Sequence, residues 1–284
     1  MNLSDIAVRP LCIYHKNCMD GLAAAWVVWD YFKGAVDLLA AQYGDELPPD
    51  SELKGRSVFV VDFSYNREQV LRLREICELV ILDHHETAAK ELEGLVHVDQ
   101  SHSGAMLTWN YFHPDKAAPQ GLLFIQDRDL WQWRLRGSKQ WTTAAFSYPL
   151  SVEHFNDLVK RPIGEVILEG TTLLRKHEQD IEKIAKSVRM MTIDGVEVPV
   201  INANALFASD LGHLLSQDHE FAVIYVDSKE ERQFSLRSQK GKTNVNEVAE
   251  RFGGGGHKGA AGFRIHFDDP RFARSHLELN SHDV

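Results

Sequence analysis

The chain has 284 residues, 44% of them hydrophobic, and its 31 basic and 41 acidic side chains leave a net charge of −10. A grip on long nucleic acid needs a basic face, and no basic tract here exceeds Arg-Leu-Arg, so long nucleic acid is not an expected partner. No apolar run approaches the ~20 residues of a membrane span, the first ten residues lack a secretory pattern, and three cysteines are too few for a disulfide framework, so no membrane is expected and a reducing cytoplasm is the expected location.

The first 130 residues alternate short apolar runs with amphipathic stretches. LCIYH (11–15) predicts a strand, and DGLAAAWVVWDYF (20–32) a helix. SVFVVDF (57–63) is the second predicted strand, followed by the helix NREQVLRLREI (66–76). LVILDHH (79–85) is the third and LVHVD (95–99) the fourth, with the helix GAMLTWNYF (104–112) after it. This alternation predicts an α/β domain, a parallel sheet covered on both faces.

Residues 163–188 have helical periodicity and many charges, which fits a linker helix or one more packed helix of the first domain. Beyond them, VEVPVINA (196–203), FAVIYVD (221–227), RQFSLRS (232–238) and GAAGFRIHF (259–267) are strand candidates, several with no helix between. They predict a smaller α+β domain with a mixed sheet. The expected division is a catalytic domain at 1–160, a linker at 161–190, a second domain at 191–270 and a polar tail at 271–284.

Three of the N-terminal strands finish on groups that bind metal: His15, then Asp62, then Asp83, His84 and His85. An open parallel sheet binds its ligands at the carboxyl ends of its strands, so three distant segments would deliver these side chains to one crevice. A lone histidine is more often a surface or core residue, and a lone aspartate at a strand end often opens a turn. The convergence favours metal. Cys18 and Asp20 follow His15 by three and five residues, and Asp127 and Asp129 follow a later apolar run. Imidazole with carboxylate suits Mn²⁺, Fe²⁺, Co²⁺ or Zn²⁺ better than Ca²⁺, and the number of candidates allows two ions sharing a carboxylate.

The second feature is RFGGGGHKGAAGF (251–263). Four glycines in a row predict a segment outside regular structure, because glycine weakens helices and strands alike. It is either a hinge or hairpin, or a cradle of amides for an anion. The cradle would comprise Gly254, Gly255 and Gly256, with His257 and Lys258 as added donors. Arg237, ending a predicted strand, is a further anion anchor or an ordinary surface arginine. Phe252 and Phe263 are candidate platforms for a base, or core residues.

LDHHET (82–87), VFVVDF (58–63) and GGGGHKGAAGF (253–263) resemble, in order, the motifs of the DHH phosphoesterases that carry a C-terminal DHHA1 domain. The resemblance covers most of the chain. It implies a DHH domain and a DHHA1 domain joined by a linker helix, with the active site in the interdomain cleft. It also implies two divalent ions, typically Mn²⁺. By the same resemblance, His15 and Asp20 belong to the first metal motif, and Asp62 bridges the two ions. His84 is a ligand, and His85 faces the substrate phosphate. Asp83 fixes the tautomer of His84, and Asp127, or else Asp129, completes the second ion's sphere. One position departs from the pattern: Cys18 stands where the first motif has an aspartate. Either its softer thiolate is a ligand or it is not one and that ion is held less well.

The expected function is a metal-dependent phosphodiesterase acting on short oligonucleotides or dinucleotides. The expected ligand is a short nucleotide or another small phosphate. Alternatives are a phosphomonoesterase on a nucleotide bisphosphate, a polyphosphatase or pyrophosphatase, and a non-catalytic nucleotide sensor. Relatives often pair as homodimers, and no stripe in the sequence decides whether this chain does.

Overall fold

The computed structural model describes residues 8–96, 98–269 and 278–279. The chain divides into two compact units, Met1–Arg175 and Lys176–Val284. In the first, β1 (Leu11–His15) leads to α1 (Met19–Tyr31), β2 (Asp37–Ala41), α2 (Asp50–Leu53), β3 (Ser57–Val61), α3 (Arg67–Ile76), β4 (Glu78–Leu82) and α4 (Glu86–Glu91). Four further helices follow: α5 (Gly104–Phe112), α6 (Gln120–Asp129), α7 (Ser138–Ala145) and α8 (Val152–Lys160). The long α9 (Ile163–Ala185) runs on into the second unit.

The four strands are parallel, in the order β2-β1-β3-β4. Strand residues alternate between two cores. Cys12, Phe59 and Val61 pack on the side of α1, with Ala24, Trp26, Val28, Trp109 and Phe155. Leu11, Ile13, Val58 and Val60 pack on the other side, with Val70 and Leu73 of α3. Burial on both faces explains why β1 and β3 read as unbroken apolar runs. It also explains α1, where every residue from Met19 to Val28 is buried: helix lies over it on one side and sheet under it on the other. Each fully buried large side chain of this kind contributes about 1.5–3 kcal/mol.

The fourth strand is not LVHVD. Residues 95, 96, 98 and 99 are outside any strand, and His97 lies outside the described residues. The sheet is instead completed by β2, of sequence DLLAA, at the edge beside β1. Its exposure alternates and it has no β-branched or aromatic residue, so its strand character comes from pairing with β1, not from propensity.

The second unit contains β5 (Arg189–Ile193), β6 (Val196–Asn202), α10 (Ala208–Leu215), β7 (Ala222–Asp227), β8 (Glu231–Arg237), α11 (Val245–Arg251), β9 (Gly255–His257), β10 (Ala260–His266) and β11 (Glu278–Leu279). They form a mixed seven-stranded sheet, β11-β5-β6-β7-β8-β10-β9, in which β6 and β7 are parallel and β7, β8, β10 and β9 antiparallel. Val223, Leu236, Phe263 and Ile265 pack with α11 on one face. Ile201 and Ile224 pack with Leu211 of α10 and Ile181 of α9 on the other.

Candidate metal centre

Strand order locates the crevice. From β1 the chain moves to one side to make β2, then to the other to make β3. The loops after β1 and β3 therefore part, and the gap lies at the carboxyl ends of these two strands. Tyr14 and Leu82 are both in register with Val61, so His15, Asp62 and Asp83 each stand one residue beyond the same level. Asp62 then turns into the left-handed region, at φ +54°. A non-glycine residue there costs roughly 1–2 kcal/mol. The turn is held by its amide, which donates to the Leu82 carbonyl at 2.9 Å.

Two helices press their N-termini onto this level, and each does so through a glycine. A Cβ on Gly21 of α1 would lie 2.5 Å from the His15 carbonyl oxygen. A Cβ on Gly104 of α5 would lie 2.7 Å from both the Cα and a carboxylate oxygen of Asp62. The first turn of α1 supplies Asp20, whose Oδ1 accepts from the Ala105 amide at 3.2 Å. Ser103 caps α5 by accepting from the Met106 amide.

His84 Nε2 lies 3.1 Å from Asp62 Oδ1, 3.7 Å from Asp129 Oδ2 and 4.0 Å from Asp20 Oδ2. His15 Nδ1 lies 3.6 Å from Asp62 Oδ2. Within the first unit two groups of three donors result, Asp20-Asp62-His84 and His15-Asp62-His85, each with its ligand atoms within 4.8 Å of one another. Asp62 belongs to both. Its two oxygens, Asp20 Oδ2 and His15 Nδ1 are buried with no partner in hydrogen-bonding geometry. Buried carboxylate oxygens without donors are costly. A divalent cation with oxygen and imidazole ligands would satisfy them, so the residues fit such an ion.

The electrostatics agree. Burial, then the charges of Asp129 and Asp62, push the Asp20 carboxyl well above its usual range. For Asp62, burial is outweighed by the imidazoles of His15 and His84, and its pKa falls well below the usual range. Burial opposes charge on His84, but contact with Asp62 and the fields of Asp129 and Asp20 prevail and push it up to about 10. Without a cation, the carboxylates hold a proton on His84 in its place.

Asp83 differs from expectation. Its Oδ1 accepts from the amides of His84 and His85, at 2.7 and 3.1 Å, and lies 2.7 Å from Nδ1 of His85. Its Oδ2 accepts from Ser64 at 2.6 Å. The imidazole that Asp83 orients is thus that of His85, because a turn at the strand end brings residues two apart together while the ring of His84 points to Asp62. With Nδ1 on the carboxylate, Nε2 is the His85 atom presented away from it.

Asp127 is not brought to the cluster. It lies in α6, and residues two apart on a helix point about 200° apart. Its carboxylate accepts from the Arg134 and Leu135 amides at 2.8 and 3.1 Å, and from Ser138 Oγ at 2.5 Å. Asp129, with a side chain 25% exposed, is the one that faces His84. Cys18 is half-buried at the N-cap of α1, where its side chain makes no capping bond. Burial and then Asp62, Asp129 and Asp20 raise its thiol pKa well above the usual value, and it belongs to neither donor group.

Sequence reading missed Tyr43 and Gly21 and gave Gly104 no role of its own. Tyr43 is 48% exposed, with its ring edge-on to His15 at 6.1 Å and to His85 at 6.0 Å. Nothing in its neighbourhood in sequence marks it, since the loop after β2 reaches the site only once β2 pairs with β1. For Gly104 a signal exists: a poor helix former at the start of a strongly predicted helix.

In the second unit, the glycine stretch is regular structure. Gly253 is at φ +82°, and its amide and that of Gly254 donate to the Glu250 and Ala249 carbonyls. These are the two bonds of a glycine C-cap, closing α11. Gly255 to His257 then form β9, paired with β10. A Cβ on Gly256 would lie 2.6 Å from the Ala260 carbonyl oxygen and 2.7 Å from the Ala261 Cα. The glycines permit this tight hairpin, and two of the four, Gly255 and Gly256, enter the sheet. Phe252 and Phe263 are core residues, stacked on each other at 4.5 Å. Arg237 packs against α10, donating to Ser209 Oγ at 3.1 Å and to the Leu236 carbonyl. Burial lowers its pKa to about 10.

Residues 200–274 match the DHHA1 domain. An uncharacterized protein of Acanthamoeba polyphaga mimivirus is 28% identical over 88% of this chain, which spans 66% of the viral protein's length. Oligoribonuclease NrnB of Bacillus subtilis (strain 168) is 24% identical, with 89% of this chain and 72% of NrnB aligned. Among solved structures, the pGpG-specific phosphodiesterase PggH of Vibrio cholerae superposes with a TM-score of 0.53 at 14% identity, covering 92% of this chain and 95% of PggH. RecJ of Thermus thermophilus, solved with Mn²⁺, gives 0.52 at 14% identity, covering 96% of this chain and 53% of RecJ. These two similarities speak to the fold.

Proposed function

We propose that this chain, which belongs to the DHH/DHHA1 phosphoesterases, is a divalent-metal-dependent phosphodiesterase that cleaves short oligonucleotides or dinucleotides to mononucleotides. The observation that carries the reading is the buried cluster of Asp20, Asp62 and His84, with two carboxylate side chains left short of donors at the crevice between β1 and β3. NrnB, by its name an oligoribonuclease, and PggH, by its title specific for pGpG, support a substrate of a few nucleotides. The Mn²⁺ in RecJ supports the choice of metal.

Asp20, Asp62 and His84, with Asp129, would hold one ion, and His15 and Asp62 the other. Bound there, such ions supply an acidified water and neutralise charge on the phosphoryl oxygens. The protein supplies the rest. Asp62 fixes the spacing between the two positions, because its left-handed backbone and the glycine at 104 leave its carboxylate one place to stand. Asp83 holds the Nδ1–H of His85 and favours its charged form, so Nε2–H would donate to a phosphoryl oxygen or give a proton to the leaving oxygen.

The test is direct. Purified protein with Mn²⁺ and a 5′-phosphorylated dinucleotide releases mononucleotides, and His84→Ala lowers the rate about 100-fold or more. Intact protein with Mn²⁺ bound and no mononucleotide released would overturn the reading.

A further inference from the structure

Trp131 and Trp133 both occupy the left-handed backbone region, at φ +53° and +52°. This is uncommon for any non-glycine residue and a clear outlier for a bulky one. It persists where surrounding structure over-determines it. Here Asp127 does so: its carbonyl accepts from the amides of Gln132 and Trp133, and its carboxylate from those of Arg134 and Leu135. Glycine at either tryptophan position would relieve the backbone. The chain instead places two half-exposed indoles there, edge to face with centroids 5.0 Å apart.

The local charge is opposite to that of the chain. Residues 128–139 carry four basic side chains, Arg128, Arg134, Arg136 and Lys139, and one acid, Asp129. Arg134, Arg136 and Lys139 are exposed. Lys139 Nζ lies 5.1 Å and Arg128 Cζ 5.8 Å from the Trp133 ring centre. Asp129 faces His84, so the indole pair begins two residues from a carboxylate of the metal centre. Aromatic faces among cations recognise single-stranded nucleotides: the base stacks and the cations follow the phosphates. A bare phosphate chain would use the cations and not the indoles, whereas a nucleotide uses both.

We propose that the Trp131–Trp133 loop is a base-stacking platform, with Trp131 the ring on which a nucleobase of the substrate lies and Trp133 its buttress. The proposal rests on the phosphodiesterase reading of the adjacent centre and gives that centre its preference for nucleotides over other phosphodiesters.

The probe is a 5′-phosphorylated dinucleotide containing 2-aminopurine and a non-hydrolysable linkage, with Mg²⁺ present, and its abasic counterpart serves as competitor. Wild-type protein quenches the 2-aminopurine on binding. Trp131→Gly, which suits the backbone at φ +53° and so keeps the loop, loses the quenching and binds the dinucleotide about 10- to 100-fold more weakly. Trp131→Phe keeps most of both, and the abasic competitor binds all three proteins alike. Absence of quenching in the wild type, unchanged quenching in Trp131→Gly, or an equal loss for the abasic competitor overturns the platform. If a natural dinucleotide is still cleaved in those cases, the phosphodiesterase reading stands. If quenching behaves as expected and no dinucleotide is cleaved, the platform stands and the reaction has been misassigned.

Discussion

Gly104 lies against Asp62 so closely that no Cβ fits between them. The N-terminus of α5 thereby becomes one wall of the metal centre, and the carboxylate that belongs to both donor groups is held from behind by backbone. Gly104→Ala forces one of the two to move. Overpacking of this kind costs about 1–3 kcal/mol, and a displaced Asp62 weakens metal binding. The melting temperature should fall, and the rise in that temperature on adding Mn²⁺ should shrink. Equal Mn²⁺ stabilisation in the variant would show that Asp62 had not moved.

The two aspartates of α6 should respond to substitution in different ways. Asp127→Asn weakens bonds to Arg134, Leu135 and Ser138. Hydrogen bonds to a charged group contribute about 1.5–3 kcal/mol each, so thermal stability drops clearly. Asp129→Asn leaves stability near that of the wild type but reduces bound metal or its affinity. Metal quantification beside calorimetry separates them, and the reverse pattern would exchange their roles.

Metal binding should release protons. His84 titrates near 10 in the metal-free protein, against 6.5 for the free side chain, so at neutral pH it carries a proton that a metal ligand must lose. Apparent affinity for Mn²⁺ should therefore rise with pH up to about 10. Calorimetric titration at pH 7.5 in buffers of different ionisation enthalpy should report at least one proton released per protein. The same shift sets the metal-free protein's own pH dependence. A pKa raised on folding stabilises fully below 6.5, and that contribution is lost as pH rises through about 10. Metal-free protein should accordingly melt earlier at pH 9 than at pH 7, if carboxylate neighbours are what hold the proton.

Asp83→Asn keeps the side chain's size but turns a full acceptor into an amide. His85 then loses the partner that fixes its Nδ1 proton. Loss of such an orienting group typically costs about 10- to 100-fold. The fall should appear in kcat for dinucleotide cleavage, with Mn²⁺ content little changed. A loss of metal instead would mean that Asp83 acts through His84 after all.

The sequence by itself determined three of the parallel sheet's four strands and the chemistry at their ends. β1 and β3, buried on both faces, must be apolar along their length, and the half-buried edge strand β4 reads the same way, so an apolar run that stops at His15, at Asp62 or at Asp83-His84-His85 marks both a strand and a crevice residue. What needed pairing or rotation to be known was decided by tertiary structure. β2 is a strand because β1 offers it an edge. Asp129, not Asp127, faces His84 because the phase of α6 is set by Leu122, Phe124 and Ile125 entering the core. Asp83 holds His85 because a turn folds it back. The four glycines serve a helix cap and a hairpin. Such outcomes depend on which atoms meet across distant segments, and spacing along one segment carries no record of that.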